Sequence, residues 1–160
     1  MKSIKRIVLA TIFAIGAIIL VACSGAAKSD NGTYVYEASK DFIKNTLKEQ
    51  GASSEEAEKY ADQFSLKMTI EIKDTKGKVT LEAKALGNKK NQDYKLKVDQ
   101  KNKTLESEKG GNDKVKYKIE GDVLTLDLSQ LESGQADKAT LAIFKDAKFK
   151  RTKQWTKWDL

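Results

Sequence analysis

From Leu66 to Leu128 apolar side chains recur at every second position, and short clusters of Gly, Asn, Asp and Lys cut the pattern into segments. That period belongs to strands with one dry and one wet face, not to helices. Met68, Ile70 and Ile72 alternate with Thr69, Glu71 and Lys73, and Val79, Leu81, Ala83 and Ala85 follow. Tyr94, Leu96 and Val98 come next, then Val115, Tyr117 and Ile119, then Leu124, Leu126 and Leu128. Turns are expected at 74–77, 87–91, 99–102, 110–112 and 120–122. A weaker strand is expected at 104–106, a first strand at 32–36 and a last one at 147–152. Residues 130–139 read as a polar loop, and 140–144 as either helical or extended.

The period is different between the first strand and Leu66. Ser39 has the position of a helix N-cap, with Phe42, Ile43 and Leu47 on one face and Gly51 as the stop. Ser53-Ser54-Glu55-Glu56 is a capping-box pattern ahead of Ala57, Tyr60, Ala61 and Phe64. A helical hairpin over about 39–64 follows. The fold class is therefore mainly β with a helical insert (α+β). About eight antiparallel strands form a meander that closes as a barrel or stays a half-barrel on the helices. At 160 residues this is one domain.

The N-terminus carries Lys2, Lys5 and Arg6, followed by an uncharged, mostly apolar run from Ile7 to Ala22. The run is short for a transmembrane helix and fits the charged and apolar regions of a secretory signal. It ends Leu20-Val21-Ala22-Cys23-Ser24-Gly25, which is similar to the lipobox of bacterial lipoproteins. Cys23 is the single cysteine of the chain. The resemblance implies cleavage after Ala22, acylation of the Cys23 thiol and anchoring on the extracytoplasmic face of the cell membrane. Removing residues 1–22 leaves 27 basic and 23 acidic residues, a net charge of +4. Residues 24–31 are small and polar and read as a flexible tether of roughly 25 Å at full extension. The expected organisation is a signal peptide over 1–22, lipidated Cys23 and tether over 23–31, and one domain over 32–160.

Four features together resemble the small secreted lipoproteins of Gram-positive, streptococcal-type bacteria that carry a lipocalin-like (calycin-type) domain. They are the lipobox, Gly32-x-Tyr34 opening the domain, the Gly-Asp-x-Leu-x-Leu hairpin at 121–126, and Phe149-Lys150-Arg151 near the end. The resemblance implies that a cation on the last strand, Arg151, packs over the first-strand aromatic, Tyr34, and latches one end of a barrel. This chain departs from the pattern in having Tyr where the usual aromatic is Trp, and in its helical insert.

The chain has no His, which removes the commonest general base and metal ligand. One Cys excludes an internal disulfide and a Cys-paired zinc site. No enzyme activity, cofactor or metal is expected. The inward-facing set includes Tyr34, Tyr36, Met68, Ile70, Tyr94, Leu96, Tyr117 and Ile119. It is either an apolar ligand cavity with phenolic groups for orientation or simply a filled core. Between 84 and 118 the chain has eleven basic and five acidic residues; between 37 and 62 it has four and seven. Lysines 95, 97, 114, 116 and 118 form an outward stripe. It either meets anionic wall polymer, lipid headgroups or a protein, or is a solvated face that guards strand edges. With 28 Lys against 2 Arg, nucleic-acid binding is not expected. Trp155 and Trp158 form either an exposed aromatic platform or a cap on the barrel end. The expected function is a monomeric, non-catalytic binding module on a lipid anchor, with envelope adhesion through the Lys-rich face as the alternative.

Overall fold

The computed structural model describes residues 29–109, 114–129, 144 and 147–155. Eight strands follow one another around a closed antiparallel barrel. They are β1 (Gly32–Glu37), β2 (Phe64–Lys73), β3 (Lys76–Ala85), β4 (Asn88–Asp99), β5 (Thr104–Ser107), β6 (Lys114–Glu120), β7 (Val123–Asp127) and β8 (Lys148–Gln154). Helices α1 (Lys40–Glu49) and α2 (Ser54–Ala61) lie between β1 and β2. The mainly β reading with a helical insert holds, and the pairing of β8 with β1 makes the meander a full barrel rather than a half-barrel.

The helices form where local chemistry favours them. The Ser39 hydroxyl accepts from the Phe42 N–H at 3.3 Å, and Gly51 ends the first segment at φ 93°. Ser53 and Glu56 cap each other reciprocally, at 3.2 and 3.0 Å. Lys40–Asp62 at 2.8 Å and Lys44–Glu58 at 2.6 Å tie the hairpin on its wet side. Such exposed pairs contribute about 0–1 kcal/mol. On the dry side Ile43, Leu47, Ala57 and Ala61 join Phe64 and Leu66 in the core. The hairpin thus covers the end of the barrel where β1 finishes and β2 begins.

Register fixes which side chains point inward. Tyr34 pairs with Ile70, Ile70 with Val79, and Val79 with Tyr94. Tyr36 pairs with Met68 and Met68 with Leu81. Val98 pairs with Leu105, Leu105 with Val115, Tyr117 with Leu126, and Leu124 with Phe149. Tyr34, Phe149, Ile70, Ile72 and Leu124 are the largest fully buried side chains, each contributing about 1.5–3 kcal/mol of apolar burial. The edges of Tyr36 and Phe144 meet at a ring separation of 6.4 Å, which places Phe144 in the core.

Two boundaries differ from the expectation. The turn expected over 87–91 is the tight pair Leu86-Gly87, both at positive φ (49° and 84°), and β4 starts at once with Asn88. Asp30 and Asn31, read as the end of a tether, are 6% and 5% exposed, so the packed chain begins before Gly32. Cys23, Trp158 and the loop at 130–139 lie outside the described residues.

Candidate functional site

One end of the barrel is sealed by polar chemistry. Just upstream of β1, Asp30 enters the barrel end. Its carboxylate receives the Tyr117 hydroxyl at 2.7 Å and pairs with the Lys103 ammonium, and its backbone oxygen receives the Tyr34 hydroxyl at 2.8 Å. Asn31 continues the seal. Its amide donates to Asp74 at 2.8 Å, and its carbonyl oxygen accepts from the Asp74 N–H at 2.9 Å and from Gln100 at 2.6 Å. Burying these groups would be costly if they were unpaired; here each has partners.

Arg151 completes the seal. Its side chain is 4% exposed, its guanidinium carbon sits 5.0 Å from the Tyr34 ring centroid, and its Nη1 donates to the Ser29 carbonyl at 3.3 Å. Asp122 lies 3.7 Å from its Nε. Burial is the main cause of the high Tyr34 pKa, about 12, and the Arg151 charge opposes it. Tyr117 is pushed up further, by burial first and then by its bond to Asp30. The Arg151 guanidinium and the Tyr34 ring, the residues expected to form a latch, lie against each other, and Gly32 permits the approach of their strands. A Cβ at Gly32 would stand 2.7 Å from the Lys153 carbonyl, so only glycine lets β8 approach β1 this closely. Trp155 lies at this end as well, with Lys153 3.9 Å and Lys73 5.6 Å from its ring.

The other side of the interior is less full. β4 pairs with β3 from Asn88 to Lys97, but with β5 only from Leu96 to Asp99. Upstream of Leu96 the edge of β4 therefore has no described strand paired beside it. Met68, Val79, Leu81, Ala83 and Leu96 point inward yet are only partly buried, and Tyr94 is 44% exposed. Together they present a partly buried apolar face along β2, β3 and β4. An open, more polar depression lined by Asp74, Thr75, Val98, Asp99, Gln100 and Lys101 lies outside the seal.

The eight residues expected to line a cavity are thus divided. Met68 and Leu96 belong to the partly buried apolar face. Tyr94 is exposed where β4 outruns β5, and its hydroxyl donates to Gln92 at 3.0 Å. Tyr34, Tyr36, Ile70 and Tyr117 are packed core or seal, with no open surface for a ligand. Ile119, near the β6–β7 turn, is likewise partly buried. Sequence reading missed Asp30, Asn31 and Lys103 altogether. Among the described residues no group of three or more Cys, Asp or Glu is placed to hold a metal ion. Comparison of the chain with known protein families, curated proteins and solved structures finds no match.

Proposed function

We propose that this protein is a lipid-anchored, extracytoplasmic binding module that takes a small apolar ligand into a cleft formed by the inward faces of β2, β3 and β4. The observation that carries the reading is the contrast within one barrel. Inward Tyr34 on β1, Leu124 on β7 and Phe149 on β8 are fully buried, whereas inward Met68, Leu81 and Leu96 are only partly buried. Apolar surface turned toward an interior and left accessible is the usual lining of a small-molecule site. The resemblance to calycin-type lipoproteins supports the same function. The lone Cys23 at its lipobox supports the anchor, since two or more acyl chains hold a protein stably on a bilayer. The titratable groups of the seal are engaged with one another, which supports binding rather than catalysis.

Native mass measurement of the protein purified from its own membranes tests both parts. The expected result is a covalent acyl mass on Cys23 and a separate, dissociable mass of lipid size. A clean apo mass contradicts the ligand reading. No acyl mass, together with unchanged fractionation of Cys23→Ala, contradicts the anchor.

A further inference from the structure

We infer that the sealed end of the barrel is a docking surface for anionic lipid headgroups, so that the domain sits on the membrane seal-first. The inference rests on the anchored reading and adds the orientation. On the outer wall beside the seal, three cross-strand pairs set lysine against lysine: Lys73 with Lys76, Lys76 with Lys97, and Lys78 with Lys95. Directly opposed like charges destabilise a sheet. Four acidic residues border the block. Asp93 lies two residues from Lys95 on the same face of β4, and the Glu108 N–H donates to the Lys95 carbonyl at 3.0 Å. Glu71 faces Lys78, and Glu106 faces Lys97 while its carboxylate lies 3.8 Å from Lys114. Among the described residues Lys76, Lys78, Lys95 and Lys97 have no carboxylate within 4.0 Å. The lysines of β6 are different: Lys118 pairs with Glu120 at 2.6 Å and Lys116 faces Asp127. The acidic residues nearest the block at the seal itself, Asp74 and Asp99, are hydrogen-bonded to Asn31 and Asn102.

The placement of the block indicates its partner. Asp30 is fixed in the seal, and seven residues of extended chain from Cys23 span at most about 25 Å. An acylated Cys23 therefore holds this end of the barrel within about 25 Å of the bilayer. An anionic leaflet attracts each nearby lysine and relieves the repulsion that the fold leaves unbalanced. Trp155 lies at the same end with Lys73 and Lys153 over its ring.

Vesicle sedimentation of the processed chain, residues 23–160 with Cys23→Ser, tests this without a lipid anchor. The processed chain contains every residue of the described barrel, 29–155. Binding is expected on phosphatidylcholine vesicles containing phosphatidylglycerol, not on phosphatidylcholine alone, and is expected to weaken with salt. Lys76→Glu combined with Lys97→Glu should lower binding about tenfold or more. Lys84→Glu with Lys89→Glu makes the same charge change on a facing pair at the far end of the β3–β4 hairpin. It should leave most of the binding. The single variant Lys76→Glu should weaken binding while raising the Tm, because it places opposite charges across from each other. Equal losses from the two double variants, or binding indifferent to phosphatidylglycerol, would overturn the orientation. A missing acyl group on Cys23 would instead overturn the anchor and leave the vesicle result standing.

Discussion

Arg151 lies over the ring of Tyr34, 5.0 Å from its centroid, and the same two residues are register partners across the seam that closes β8 on β1. One contact thus joins the two ends of the folded chain. A buried guanidinium over an aromatic ring contributes roughly 0.5–2 kcal/mol, and a lysine cannot reproduce both the stacking and the bond to the Ser29 carbonyl. Arg151→Lys should therefore destabilise the protein more than Lys150→Ala does. A double-mutant cycle with Tyr34→Leu, followed by denaturant unfolding, should show coupling above about 0.5 kcal/mol. Additive effects would mean that the contact does not hold the seam.

Asp30 is the centre of the seal, so its removal should be felt well beyond the N-terminus. Asp30→Ala strips the Tyr117 hydroxyl of its acceptor and Lys103 of its counter-charge. A loss of about 1–3 kcal/mol is expected. Truncation to residue 32 should cost at least as much, whereas a chain that starts at Ser29 should keep its stability. If truncation to residue 32 has no effect, the seal is not part of the folding unit.

The tyrosines of the seal predict a loss of stability at high pH. Tyr34 titrates near 12 in the folded chain against an ordinary value of 10, and Tyr117 is shifted in the same direction. Between those values the folded state holds protons that the unfolded state has released. The stabilisation is whole below pH 10 and is lost as pH rises toward 12. Thermal melts across this window should show a smaller decline for Tyr34→Phe and Tyr117→Phe than for the unsubstituted chain. Parallel declines in all three would place the tyrosines outside the linkage.

Much of this fold is written in two periods. Alternation at Met68, Ile70 and Ile72, or at Tyr117 and Ile119, reports a strand face directly, because sheet side chains repeat every two residues. The capping box at Ser53 and Glu56 is equally local. The seal was illegible because nothing in Ser29-Asp30-Asn31 distinguishes a tether from a plug. Its partners Asp74, Gln100, Lys103 and Tyr117 are 43 to 87 residues away. Tyr94 was misleading for a related reason. It has the correct phase for the interior, but its burial depends on the length of β5, a neighbour of four residues. The Leu86-Gly87 turn was hidden because leucine rarely takes a positive φ, and the chain placed one there.

The cleft is tested most directly by titrating a neutral apolar fluorophore, such as a pyrene-labelled fatty alcohol, into the unlipidated protein and into Leu81→Glu. Leu81 is a partly buried inward residue of β3, so the substitution places a charge in the cleft while leaving the sealed core intact. The account predicts saturable binding of one probe per chain, with affinity at least about tenfold weaker in Leu81→Glu, as expected when an apolar contact is replaced by a charge that must be desolvated. No saturable binding, or equal affinity in the two proteins, would contradict the account and leave the open face of β3 and β4 as an irregular wall of a filled barrel.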